Sequence, residues 1–342
     1  MANRLPKDVQ AAVDRLEPRL RAAFMQAIQN VTSAIRLIQL EEMIRAGNVE
    51  GAIDALRLEQ GFFGPLYEAH RESYITGGGL ILSEVKVKDP FDGSRFVIGF
   101  DGRAVRAERW VQEQSSRLIT EIIEDQRDMA RAVIREGLEQ GQNPRTTALE
   151  IAGRVNRATG QREGGFIGLT SQQAAWVRNA EAELRGLDAG YFDRAARDKR
   201  YDGTIRKAID SGKALSGADV ARIVRRYKDR LLKARADLIA ENESLTALRA
   251  GQMEGLRQLV DTGKVRDDQI ERTWSDTGDG RTRPAHRAMR GQKVRGVNEP
   301  FVFPDGTRAL FPGDVSLGAP AKNTIRCRCV ATTRIRYDEL RG

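Results

Sequence analysis

The sequence predicts a mainly helical α+β protein, with helical N-terminal and central regions, one β-hairpin among them, and a small C-terminal α+β module. Three observations lead there. Apolar residues recur at helical spacing through most of the chain, whereas on both sides of Asp92-Gly93 apolar and polar residues alternate. Past Gln269, Gly, Pro, Asp and Thr become common and apolar residues fall into short groups such as "FVFPDG" and "CVATTRI". The chain accordingly divides into a helical region 1–100 with a hairpin near 84–100, a long-helix region 101–260, and a C-terminal module 261–342.

The elements follow in order. From Leu20 to Ile44, the residues Leu20, Phe24, Ile28, Val31, Ile35 and Ile38 mark one amphipathic helix. "GNVEGAIDALRL" reads as a turn and a second short helix, after which Gly and Pro in "GFFGPLYEAHRESYITGGGLIL" are expected to break the pattern. His70 lies there and is expected to be a partly exposed helical histidine. "SEVKVKDPFDGSRFVIGFDG" is the hairpin, turning at Asp92-Gly93.

A helix from Val105 to Glu139 buries Val111, Leu118, Ile122, Met129 and Val133 and stops near Gly141. Asn143 caps the next helix, and Pro144 sits at its first position, where a missing N–H costs nothing. Beyond the loop "TGQREGGFIG", Thr170 and Gln173 form a capping box. Ser216 then caps a long helix striped with Val220, Ile223, Val224, Tyr227, Leu231 and Leu238. In the last module "FVFPDGTRALF" predicts two strands around Asp305-Gly306, and Ile325 to Ile335 a final strand. There is no internal repeat of fixed period and no low-complexity linker.

At 342 residues, with 40% hydrophobic and 31% charged content, the chain is long enough to bury a core and too apolar for a disordered tail. "MANRLPKDVQ" lacks an apolar secretion run, and no stretch of about 20 apolar residues follows. A soluble, unexported chain is therefore expected, made in the cytoplasm, with no membrane in its assembled state. Two cysteines one residue apart cannot form a disulfide framework, which fits a reducing compartment. The formal charge of +9 favours polyanionic partners.

Three scarce residues carry the candidate chemistry. In a strand Cys327 and Cys329 face one side, and His286 is the natural third ligand for a zinc ion, with Asp314, Asp276 or Asp279 as a carboxylate fourth. The bland alternative is two small buried thiols and a histidine bonded to its own turn. A nucleophilic Cys/His pair is the other chemistry open to them, although nothing in the sequence supplies its remaining parts. Separately, Arg222, Arg225, Arg226, Lys228, Arg230, Lys233 and Arg235 give the long helix a cationic surface, which the tail repeats with Lys322, Arg326, Arg328, Arg334, Arg336 and Arg341. If these neutralise phosphates, binding is steeply salt-dependent and indifferent to sequence. Trp110, Trp176 and Trp274 are too far apart for a base-stacking platform and are expected to pack.

An ordered set of fragments then carries a resemblance: "NPRTTALEIAGRVNRATGQREGG", "LTSQQAAWVRNAEAEL", "RADLIAENESLTALRAGQ", "ERTWSDTGDGRTRPAHRAMRGQKV", "FPGD" and "CRC". Over roughly residues 140–335 the chain resembles the phage head morphogenesis, or minor capsid, proteins related to protein F of phage Mu. The family pattern falls on Glu243, Trp274, Asp279, Arg283, His286, Gly291, Pro312, Gly313, Asp314, Cys327, Arg328 and Cys329. One position departs: where the family commonly has asparagine before the first cysteine, this chain has Arg326, with Asn323 upstream.

The resemblance implies a non-enzymatic component of the virion, held in the capsid interior near the portal protein, that assists DNA packaging or delivery and touches double-stranded DNA without sequence preference. The competing expectations are an enzyme, in which His286, Cys327 and an aspartate or a bound metal hydrolyse or transfer a group during assembly, and a cytoplasmic DNA-binding protein that never enters particles. Some family members carry toxin domains; this chain ends soon after "CRC", so none is expected.

Overall fold

The computed structural model describes residues 5–85, 87, 88 and 93–336. It is the mainly helical α+β fold expected, with a few small antiparallel sheets. Two predicted features, Asp92 at the hairpin turn and Arg341 in the tail, lie outside the described residues.

Helix α1 spans Lys7–Ala34 and α2 Leu37–Arg45, so the single helix expected across this stretch is two. The break has a local cause. Thr32 turns its hydroxyl back onto the Ile28 carbonyl, and Arg36 gives its N–H to the Ala55 carbonyl instead of continuing the ladder. The new direction buries Leu40 and Ile44 and leaves Ile38, expected in the stripe, 73% exposed. Asn48 caps α3 (Val49–Asp54) by accepting the Gly51 N–H.

Helix α4 covers Gly64–Glu84 and runs straight through Gly77-Gly78-Gly79, where a break was expected. Close packing explains the glycines. A Cβ on Gly77 would overlap the Leu248 carbonyl, and one on Gly251 the Tyr74 carbonyl, so these glycines let two helix backbones approach each other. The same continuation turns His70 inward: it is fully buried rather than partly exposed, with Nδ1 2.9 Å from Ser115 Oγ.

Strands β1 (Val87–Lys88) and β2 (Arg95–Phe96) form the predicted hairpin, in antiparallel register. Helix α5 runs Val105–Glu139 and α6 Pro144–Ala152, with Asn143 accepting the Arg145 N–H. Strand β3 (Arg154–Val155), just ahead of the predicted loop, pairs with β4 (Arg162–Glu163) inside it, a two-residue ladder too short to show as alternation. Both arms of the Thr170/Gln173 capping box are present at the start of α7 (Ser171–Gly186). After α8 (Asp202–Ser211) comes α9, Gly217–Asp261, whose Asp219 N–H bonds the predicted cap Ser216.

In the C-terminal module, β5 (Ile270–Ser275) lies between β6 (Lys293–Arg295) and β9 (Val330–Ile335), antiparallel to both. The short helix α10 (Pro284–Ala288) connects β5 to β6. The predicted pair around Gly306 is β7 (Phe301–Val302) with β8 (Arg308–Ala309), and α11 (Ala321–Thr324) precedes β9. The final strand begins at Val330, five residues later than expected, because α11 and a left-handed Arg326 (φ 54°) keep the chain from pairing earlier.

The chain forms two compact units. One consists of Met1–Ala23, Leu66–Ser116 and Leu238–Gly342, the other of Phe24–Pro65 and Arg117–Asp237. In the first, one apolar cluster joins Tyr74 and Ile81 of α4 to Met253, Leu256 and Leu259 of α9, and a second joins Trp274, Met289, Val294, Phe301 and Phe303 to both cysteines. In the second, Gln126 is a fully buried amide whose Oε1 accepts the Gly168 N–H and whose Nε2 donates to the Leu169 carbonyl. That pair of bonds holds the loop ahead of α7.

Candidate functional site

The turn after β5 brings His286 on α10 beneath the extended approach to β9. His286, Cys327 and Cys329 are all buried, and their ligating atoms lie within 4.8 Å of one another. His286 Nδ1 is 3.4 Å from Cys329 Sγ and 3.6 Å from Cys327 Sγ. The sulfurs converge as i, i+2 residues on extended backbone do, although the ladder starts one residue later. The imidazole stands steeply inclined to Trp274 and Phe303, at 6.1 and 5.4 Å between ring centres.

Electrostatically the two thiols are unequal. A hydrogen bond from Cys329 lowers the Cys327 thiol well below its ordinary value, overcoming burial, and His286 and the Arg249 charge act in the same direction. The bond to Cys327, with burial added, pushes the Cys329 thiol up. Of the two, Cys327 is the thiol that ionises more readily.

Arg249 is the residue that sequence reasoning missed. It is 3% exposed, and its guanidinium donates to the Cys327 carbonyl at 2.9 Å and the Pro312 carbonyl at 3.1 Å. The signal was available: an arginine inside "LTALRAGQ", among small apolar residues on the core side of α9. "FPGD" is the turn that receives it. Pro312 supplies the acceptor, and Gly313 has a φ of 88° with its Cα facing Arg249 and Thr246. Asp314 commits both carboxylate oxygens to the Leu310 and Ser316 N–H groups, each at 2.8 Å. Asp314 therefore stands apart from the thiols and imidazole, and so does Asp276, which pairs with Arg290 at 2.5 Å.

The thiols and imidazole line a cleft of about 430 Å³, with Glu241, Thr277, Asp279, Thr282, Arg281, Arg283, Arg326 and Arg328 around it. Asp279 accepts from the Arg281 N–H and the Thr282 hydroxyl, and Arg328 approaches its other oxygen at 3.3 Å. Arg283 donates to the Ile325 carbonyl at 2.6 Å, tying the turn after β5 to the segment before the cysteines. Gly291, with φ 80°, gives its N–H to the Trp274 carbonyl. Glu243 lies 3.5 Å from His70 Nε2.

Position 326 also accounts for the departure from the family pattern. Its left-handed backbone suits asparagine, whereas Arg326 adopts it with its N–H held by Asn242 Oδ1 at 2.7 Å. Asn323 is elsewhere, bonding Asp305 at 3.3 Å.

The cationic helix separates into two sides. At 3.6 residues per turn, Arg222, Arg226, Arg230 and Lys233 share an exposed side of α9 with Arg225 at its margin. Arg235 is not on that surface: it is 7% exposed and bonds the Gly168 carbonyl and Asp125. Lys228 is half-buried, donates to the Gly164 carbonyl, and lies over the Phe166 ring. Both flank the core stripe because i+4 and i+8 from Val224 and Tyr227 fall there. In the tail, Lys322 pairs with Asp305, Arg328 with Asp279 and Arg336 with Glu271.

Among the described residues no helix is long and apolar enough to cross a membrane. No curated protein and no solved structure matches the chain. Residues 201–332 match the family described as "Phage Mu protein F like protein". The match starts well after the expected residue 140, so the fragments on α6 and α7 lie outside it, and it takes in α8, α9 and the module through β9. Over residues 201–332, which hold the imidazole, both thiols and the arginine behind them, this chain is similar to the Mu protein F-like phage head proteins.

Proposed function

We propose that this protein is a minor head component, incorporated into the procapsid near the portal, where it supports head morphogenesis and DNA packaging or delivery without catalytic turnover. The family match carries the reading, since Mu F-like proteins are phage head morphogenesis proteins and such head proteins are usually structural. The same family match supports placement in the virion. Two features support DNA contact: the net charge of +9, and the exposed side of α9 bearing Arg222, Arg225, Arg226, Arg230 and Lys233. Such a face attracts phosphates without reading bases.

The His/Cys node serves this role as a staple. It ties the end of the matched region to α9 through Arg249, so the C-terminal module and the helix fold as one piece. Deleting the gene in the system that encodes it tests the reading. Malformed or unfilled heads, rescued by the intact gene, are expected; a normal yield of DNA-filled particles would contradict it.

A further inference from the structure

We propose that His286 Nδ1, Cys327 Sγ and Cys329 Sγ form a zinc site whose fourth position opens into the adjoining cleft. Interatomic spacing is the first support. Tetrahedral zinc, with Zn–S of about 2.3 Å and Zn–N of about 2.0 Å, places a sulfur and a nitrogen about 3.5 Å apart. The two nitrogen–sulfur distances here are 3.4 and 3.6 Å. One imidazole nitrogen thus faces two sulfurs at the edge length of such a site.

Hydrogen bonding at the imidazole points the same way. His286 is 2% exposed, the sulfurs are its hydrogen-bonding contacts, and Nε2 has no hydrogen-bond partner among the described residues. Thiols are weak donors and weak acceptors, so hydrogen bonding to them compensates little of the cost of burying an imidazole. A metal would turn the same three atoms into strong ligands. Two sulfurs and one nitrogen are the donor set that zinc takes in preference to magnesium or calcium.

The fourth position follows from access. All three side chains line the 430 Å³ cleft; Asp314 is committed to backbone amides and Asp276 to Arg290, while Asp279 on the cleft wall is engaged by the Arg281 N–H, the Thr282 hydroxyl and Arg328. The cleft wall bears Arg281, Arg283, Arg326 and Arg328 against Glu241 and Asp279. That excess of cations favours a small anion, or water, as the exchangeable ligand. A site with three protein ligands and an open position differs from a closed four-ligand staple, because solutes reach the metal.

The test uses the full reduced chain, stripped with a chelator and titrated with cobalt(II), then zinc(II). The expected result is one cobalt per chain, with thiolate-to-cobalt charge-transfer and tetrahedral d–d bands that zinc abolishes. Azide should shift the d–d bands. Zinc should also slow alkylation of the thiols by about tenfold or more, a clean readout because the chain has only two cysteines. Cys327→Ser and His286→Ala should each remove the charge-transfer bands or the stoichiometry; the wild-type titration and thiol protection stand even where these variants fold poorly. Absence of cobalt binding, or binding unchanged in both variants, overturns the site. Binding with bands indifferent to azide overturns the open fourth position.

Discussion

The Arg249 guanidinium, arriving from the middle of α9, donates to the carbonyl of Cys327 at 2.9 Å inside the protein core. A second bond, to Pro312, makes this one side chain the meeting point of the long helix, the "FPGD" turn and the cysteine segment. Burial disfavours its charge and lowers its pKa, and the cysteines oppose that shift. Replacing it with methionine orphans two buried carbonyls. Arg249→Met is expected to cost about 2 kcal/mol in urea unfolding and to speed thiol labelling. Arg249→Lys should not rescue it, because a single ammonium cannot reproduce the fork. A methionine variant as stable as wild type would contradict this role.

Gly313 makes a narrower prediction. Its φ of 88° lies where side chains are strained, and a Cβ there would press on the Arg249 guanidinium. Gly313→Ala should therefore lose about 1–3 kcal/mol. Gly47 has a φ of 69° with open space around it, so Gly47→Ala should lose less, from backbone strain alone. Equal losses would show that the approach to Arg249 contributes nothing.

At position 326 the expected change has the opposite sign. Arg326→Asn relieves part of a left-handed cost of about 1–2 kcal/mol and gives up only a long, exposed pairing with Glu241. The denaturation midpoint should rise or hold. A clear fall would mean that the arginine, not the backbone, is what this position needs.

These residues also show how far the sequence was legible. Helix periods, caps and turns were readable wherever the signal was local: Asn143-Pro144, Thr170/Gln173, Ser216 and Gly306 all stand as expected. At the triple glycine and at His70, what failed depended on distant partners. The triple glycine of α4 stays helical because α9 needs close approach, and His70 is buried because Ser115 and Glu243 meet it from elsewhere in the chain. The convergence of His286 with Cys327 and Cys329 was predicted, while Arg249 behind them was not, although its apolar neighbours in "LTALRAGQ" set it apart from the other arginines of α9.

Lys228 supplies a pH dependence. Burial lowers its pKa from 10.5 to about 8 in the folded chain. Between those values the unfolded state binds the extra proton, so stability rises with pH through the window of about 8 to about 10.5. Lys228→Met removes the titration. Its stability relative to wild type should fall by roughly 1–2 kcal/mol across that window, a figure kept small because the side chain is only half-buried. A constant difference between the two proteins from about pH 7 to about pH 10, on a scale of about 0.3 kcal/mol, would contradict the assignment.

The two sides of α9 should separate in DNA binding. Arg222→Gln and Arg226→Gln are expected to weaken binding to any duplex and to reduce the log–log salt slope by about 1 for each phosphate no longer neutralised. Arg235→Gln should act through stability instead, because its guanidinium is engaged by Gly168 and Asp125. Identical salt slopes for all variants would remove the DNA role from this face.

Residence in the phage head is the claim on which the rest depends. Quantitative mass spectrometry of purified DNA-filled particles, alongside empty precursor shells, should find this chain in both at a few copies per particle. Its absence from both, with the protein abundant in the same lysate, would contradict the head-protein reading.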